Sequence, residues 1–191
     1  MKSSDIDVLI VGAGAAGMMC AIEAGKRGRR VRVIDHASAP GEKIRISGGG
    51  RCNFTNLGTS GANFLSENPR FALSALKRFT QHDFLKMVER HGIAWHEKTL
   101  GQLFCDDSAK QIIRMLTDEM KAAGVTLSMG LGVKTIARDG EHFTVDLDDG
   151  TRVSAASLVV ATGGKSIPKM GATGWGYEVA RQFGLRVTET R

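Results

Sequence analysis

A chain of 191 residues with 42% hydrophobic content is long enough for one sizeable core and, by length, for one domain. Its net charge of +6 raises nucleic acid as a partner. However, aromatic residues make up only 6%, and the cations gather at Lys26, Arg27, Arg29, Arg30 and Arg32, where a helix should end and basic side chains complement its dipole. There is no apolar run of about 18 residues and no N-terminal apolar signal region. The three cysteines, Cys20, Cys52 and Cys105, form no CxxC, which argues against a disulfide framework and a zinc knuckle. The expectation is a cytoplasmic protein with no metal, no membrane partner and no nucleic-acid partner.

The first predicted unit is Val8 to Gly17, VLIVGAGAAG, a buried strand that turns directly into a helix. In such a turn the first glycine permits the bend, the second lets backbone approach a pyrophosphate, and the third packs the helix on the strand. A helix over Ala15 to Gly25 then presents free N–H groups to an anion. Val31 to Ile34 forms a second apolar strand ending in Asp35, 23 residues beyond Gly12, where an acid accepts hydrogen bonds from a ribose diol and repels a 2′-phosphate. Next comes a second glycine cluster, Ser47-Gly48-Gly49-Gly50-Arg51-Cys52-Asn53. Its side-chain-free backbone, with the cations of Lys43 and Arg51, suits a phosphate or the polar edge of a flavin.

Asn68-Pro69 reads as an N-cap with proline at the first helical position, followed by Ala72, Ala75, Leu76 and Phe79 at helical spacing. A second helix is capped by Thr80, carries Phe84, Leu85 and Val88, and stops at Gly92. His82, His91 and His96 offer no ligand geometry and read as surface or packed histidines. Two short strands are expected around Gly101. A helix follows that is boxed by Ser108 and Gln111, presents Ile112, Leu116, Met120 and Ala123, and closes at Gly124. Alternation at Val125 to Met129, Val133 to Arg138 and His142 to Leu147, with turns at Asp139-Gly140 and Asp149-Gly150, predicts a small antiparallel meander over about 125–154. Leu158 to Ala161 is a buried strand entering Thr162-Gly163-Gly164. Thr173-Gly174-Trp175-Gly176 opens a helix to Phe183, stopped by Gly184, and Leu185 to Val187 reads as the start of another strand.

The stretches VGAGAAGM, GEKIRISGGGRCNFTN, HGIAWHEKTLGQLFCDDSA and ATGGKSIPKMGATGWGYEVARQFGL together resemble the YhiN family of bacterial flavoproteins over nearly the whole chain. That family falls in the broader class built like glutathione reductase and fumarate reductase flavoproteins. The resemblance implies an α/β fold: a Rossmann-like FAD-binding domain with a parallel sheet, a helical insertion and an antiparallel β-meander, incomplete as given. It implies FAD rather than NAD, with NAD(P)H as a candidate electron donor. Gly12, Gly14, Ala15 and Gly17 would hold the pyrophosphate, and Asp35 with the adjoining His36 the adenosine. Lys43 and Ser47, Gly48, Gly49, Gly50, Arg51, Cys52 and Asn53 would serve the phosphate and flavin side. Val133 would present backbone to the adenine, and Ala161, Thr162 and Gly163 would pass close to the cofactor. Trp175 stands where this class often has an acid, so either a polar contact is lost there or the indole packs.

The implied activity is hydride transfer between a small organic substrate and the flavin, the protein supplying orientation, electrostatics and access. Members of the family include an aminoacetone oxidase and a bile-acid-related reductase, which spans too much chemistry to choose a substrate. No general base stands out. Cys52 suggests a thiol beside the flavin, its pKa lowered by Arg51, although without a CxxC partner a packed residue is the simpler reading. The alternatives are an NAD-linked dehydrogenase and a flavin-binding sensor without turnover. Residues 1–191 are expected to be the N-terminal part of an FAD-binding domain, since no second glycine-acid motif follows ATGG.

Overall fold

The computed structural model describes residues 6–165 and 173–189. The chain divides into two compact units, one of Met1–Lys43 with Leu116–Arg191 and the other of Ile44–Met115.

The first unit is built on β1 (Ile6–Val11), α1 (Ala15–Lys26) and β2 (Val31–Asp35), the βαβ unit expected from the glycine turn. β1 and β2 pair in parallel, Val8 opposite Val31 through Val11 opposite Ile34, and α1 packs on both. Leu9 and Ile10 are both fully buried although successive side chains of a strand face opposite ways. β1 is therefore covered on both faces, as central parallel strands are.

β6 (Thr126–Met129), β7 (Val133–Asp139), β8 (His142–Leu147) and β9 (Arg152–Val160) complete a six-stranded sheet in the order β6-β2-β1-β9-β8-β7. The sequence assigned Val125 to Met129 to the meander. In the structure β6 instead pairs in parallel with β2, at the opposite edge from β7. The strand read from Leu158 into ATGG begins earlier, at Arg152, and as β9 it runs antiparallel to β8 and parallel to β1. α6 (Trp175–Gln182) brings Val179 into a core cluster with Leu9, Val11, Ile34, Val145, Leu147 and Ala155. Leu185 to Val187 has no regular structure, so the expected strand start does not form there. The span 166–172 of ATGGKSIPKMGATGW lies outside the described residues, as do residues 1–5 of the N-terminal segment read for a signal.

The second unit holds α2 (Glu42–Ile46), most of which lies in it, a tight turn at Ser47–Gly50, β3 (Asn53–Asn56), α3 (Leu73–Arg78), α4 (Gln81–Arg90), β4 (Trp95–Glu97) and β5 (Gln102–Cys105). Its sheet is antiparallel in the order β3-β5-β4. The start of α5 (Ala109–Ala122) also belongs to this unit. α3 starts later than Asn68-Pro69 suggested. The Asn68 side chain accepts from the Arg70 N–H at 3.2 Å, an Asx-type bond that makes a local turn instead of a helix cap. Thr80 does cap α4, trading bonds with Asp83.

The basic cluster near the end of α1 is tied down within the first unit. Lys26 reaches Glu119 at 2.6 Å, Arg27 reaches Glu23 at 2.8 Å, and Arg30 reaches Asp7 at 2.8 Å. Asp7 also accepts from the Arg30 backbone N–H at 2.7 Å, which fastens the start of β1 to the chain entering β2. Hydrogen bonds from the Arg30 side chain and then its backbone hold the Asp7 carboxyl at about 2, down from 3.8. A depressed carboxyl contributes stability that is full above 3.8 and is lost as pH falls toward about 2. Asp7→Asn should therefore melt below the parent near neutrality, and the gap in melting temperature should close as the pH is lowered through that window.

Candidate functional site

The turn after β1 is shaped by two backbones that nearly touch. Gly12 has φ +113°, and a Cβ there would lie 2.5 Å from the Ala161 carbonyl oxygen and 2.9 Å from the Thr162 nitrogen. Only glycine fits both the angle and the space. Its N–H donates to the Ile34 carbonyl at 2.8 Å, and the Ala161 N–H donates to the Val11 carbonyl at 2.8 Å. The ends of β1, β2 and β9 are thus tied together at one point. A Cβ on Gly17 would run into the Gly12 carbonyl oxygen, so the first turn of α1 sits directly on this crossing. Gly14 is different, because a Cβ there would meet nothing within 4 Å. It caps α1 without a side-chain bond, and Ala15 and Ala16 beside it are exposed. The helix end therefore leaves its first N–H groups and the positive end of its dipole open.

Asp35 completes this arrangement. One carboxylate oxygen accepts from the Ala13 N–H at 2.7 Å and the other from the Ala37 N–H at 2.9 Å. The acid fixes the glycine turn and its own loop, and each oxygen keeps a lone pair for a further donor. The exposed His36 ring stands 3.4 Å from the same carboxylate. The loop before β7 folds onto the end of β2 through the N–H of Gly130 to Ala37 and of Leu131 to Asp35, both 2.9 Å. This places Val133 beside the acid.

These elements enclose a cleft of about 440 Å³ whose lining includes Gly12, Asp35, His36, Val133, Thr162 and Trp175. Five residues proposed from the sequence thus share one cavity. Gly14, Ala15 and Gly17 form the adjoining helix start, and Ala161 lies against Gly12. The Lys43 ammonium comes within 3.5 Å of the Cβ position of Gly163, which sets a cation next to the ATGG turn. The cleft also takes in Leu131, Gly132, Thr173 and Glu178, which sequence reasoning passed over. The available signal for Glu178 was its place three residues after Trp175, on the same face of one helix.

Ser47, Gly48, Gly49, Gly50, Arg51, Cys52 and Asn53 belong to the second unit. Gly48, Gly49 and Gly50 all have positive φ, at +58°, +67° and +87°. A Cβ on Gly48 would press within 2.6 Å of the Phe104 ring and 2.8 Å of the Asn53 nitrogen, while on Gly49 and Gly50 it would meet nothing within 4 Å. Packing therefore accounts for Gly48, whereas Gly49 and Gly50 present open backbone. The surroundings of Cys52 agree with the simpler reading of a packed residue and not with activation by Arg51. Cys52 is buried, and burial pushes its thiol up, with a Ser47 hydrogen bond working the other way. Cys105, also buried, is pushed up to about 12 by burial and then by the nearby Cys52 and Asp106. These two thiols have the character of packed residues. His96 is taken up by Asp106 at 2.6 Å. Among the described residues no group of three or more His, Cys, Asp or Glu could hold a metal ion, and no helix is long and apolar enough to cross a membrane.

Comparison with known proteins places this geometry. The chain is 56% identical over 185 residues to the ribosomal RNA dihydrouridine synthase of Escherichia coli (strain K12), covering 97% of this chain and 46% of that protein. It is 29% identical over 178 residues to a 3-dehydro-bile acid delta(4,6)-reductase of Clostridium scindens, covering 92% of this chain and 43% of that protein. The chain therefore spans somewhat less than half the length of these curated relatives. Among solved structures, glycine oxidase from Geobacillus kaustophilus shares the fold with a TM-score of 0.64 at 19% identity, over 96% of this chain and 59% of that one. The family model described as the HI0933-like protein Rossmann domain matches residues 6–190, and the chain belongs to that family.

Proposed function

We propose that this chain binds FAD in the cleft of its first unit and forms the cofactor-binding portion of a flavoprotein oxidoreductase. The observation that carries the reading is one cavity lined by the Gly12 turn and the Asp35 carboxylate, adjoined by an uncapped helix end with an open Gly14. A dinucleotide needs these features together: unpaired N–H groups for the pyrophosphate and an acceptor for the ribose diol. Asp35 in place of a cation disfavours a 2′-phosphate, so NADP does not suit this pocket.

When bound, FAD supplies the two-electron redox chemistry. The chain's residues hold and orient it: Gly12, Gly14, Ala15 and Gly17 at the pyrophosphate, Asp35 and His36 at the ribose, and Val133 at the base. Lys43 adds positive charge next to Gly163. The reading keeps Ala161 and Thr162 as cofactor-side residues. The reaction proposed is hydride transfer between the flavin and a small organic group. A free small molecule is one substrate class. The second is a uridine base in ribosomal RNA, whose 5,6 double bond would take up a hydride and a proton. The identity of 56% over 97% of this chain with a protein so named favours the second. This sets aside the expectation of no nucleic-acid partner, which rested on the gathering of cations at a helix end and on the low aromatic content.

Two measurements test the reading. Gly14→Ala should leave stability within about 1 kcal/mol, because its methyl meets no protein atom, yet weaken FAD binding about tenfold or more by occupying the phosphate path. Gly12→Ala should instead cost about 2 kcal/mol or more of stability through its angle and its clash. If Gly14→Ala binds FAD as the parent does, the helix end is not the phosphate site. The second measurement uses the complete reading frame. Protein made from it should carry extractable FAD, and ribosomal RNA from cells lacking it should lose dihydrouridine. Unchanged dihydrouridine returns the substrate to the small-molecule class, and protein without flavin overturns the cofactor.

A further inference from the structure

The pyrophosphate and ribose positions fix the direction in which a bound nucleotide continues. With phosphates on the Gly12–Gly17 turn and ribose hydroxyls at Asp35, the base must leave the sugar away from the helix end. The cleft that Gly12 and Asp35 border is also lined by Leu131, Gly132 and Val133 and by the start of α6. On that wall Trp175 offers the one large aromatic surface, and it is held in place. The indole is half-buried and packs against the same core cluster that contains Val179 of α6. An indole anchored on one side and bordering a cavity on the other is a stacking platform already paid for in conformational entropy.

Glu178 lies three residues further along the same helix and borders the same cleft, so it shares a face with Trp175. Among the described residues its carboxylate has no hydrogen-bond or ion-pair partner. An ionised carboxylate only accepts hydrogen bonds, and the exocyclic amine of adenine only donates.

We propose that Trp175 and Glu178 read the base of the bound dinucleotide, the indole stacking on the purine and the Glu178 carboxylate accepting from the 6-amino group of adenine. This rests on the proposed binding of FAD in the cleft. It gives Trp175 a recognition role where an acid would have made a polar contact, and it moves the acid of the site one turn down the helix. A role for Glu178 confined to complementing the dipole of α6 would be indifferent to what the base carries.

The protein has two tryptophans, so Trp95→Phe leaves Trp175 as the sole indole reporter. ADP titrated into that variant should quench its fluorescence saturably, with the same affinity that calorimetry gives for the parent chain. Glu178→Ala should weaken ADP about fivefold, while purine riboside 5′-diphosphate, which is ADP without the 6-amino group, should change by less than about twofold. ADP binding by calorimetry without quenching would overturn the stacking. Equal losses for the two nucleotides, or no loss for either, would overturn the reading of the amine. If neither ADP nor FAD binds the parent in calorimetry, the cofactor reading itself falls and takes this assignment with it.

Discussion

The close approach of Gly12 to Ala161 and Thr162 is the constraint on which the first unit depends. Three strand ends meet there, and the chain turns into α1 with no room for a single added carbon. Because the turn carries no side chain at this point, backbone N–H groups remain as its chemical surface. An anion site made this way needs no lysine or arginine, and the dipole of α1 supplies the field. The same closeness makes the site rigid, since the strand ends cannot separate without breaking the hydrogen bonds of Gly12 and Ala161.

Asp35 links that rigidity to recognition. Its two oxygens accept from Ala13 and Ala37, so the acid is part of the scaffold before any ligand arrives. A group already oriented by two backbone bonds loses little freedom when it accepts a third. The loop at residues 130–132 hangs from the same strand end through the carbonyls of Asp35 and Ala37. One strand terminus thus fixes both the Asp35 carboxylate and the neighbouring loop of the cleft wall. Residues 47–53 solve a different problem. Gly48 is a matter of packing on Phe104, and Cys52 and Cys105 are buried thiols whose ionisation is opposed by their surroundings.

Much of this was legible where the signal was local. β1, α1 and β2 follow from an apolar run, a glycine turn and a second run closed by an acid, and Thr80 announced α4. Pairing partners were less legible. Thr126 to Met129 alternates like a hairpin strand, yet a four-residue strand says nothing of its neighbour, and it joins β2. Of the single long β9 only the end was read as a strand, because its first half alternates and its second is uniformly apolar. That change of pattern marks where it passes from the antiparallel β8 to the parallel β1. β3 escaped notice because it is only four residues long and Asn53 and Asn56 at its ends carry little strand propensity. Asn68-Pro69 has the composition of a helix start, but its side chain closes a turn. Glu178 was passed over because an acid in a first helical turn is ordinarily explained by the dipole.

The register of β1 with β9 also sets an order of events during synthesis. Ile6 pairs with Ala155 and Val11 with Val160, so the partner of the first strand leaves the ribosome 149 residues later. At about 5–20 residues per second this amounts to about 7–30 s. For that interval β1 can pair with β2 while its other edge stays open, and it is among the most apolar segments of the chain. Nascent chains therefore pass through a stage in which the future nucleotide-binding strand is a bare edge, exposed to whatever else can add a strand to it. Variants that slow elongation between β2 and β9 lengthen that exposure without touching a single native contact.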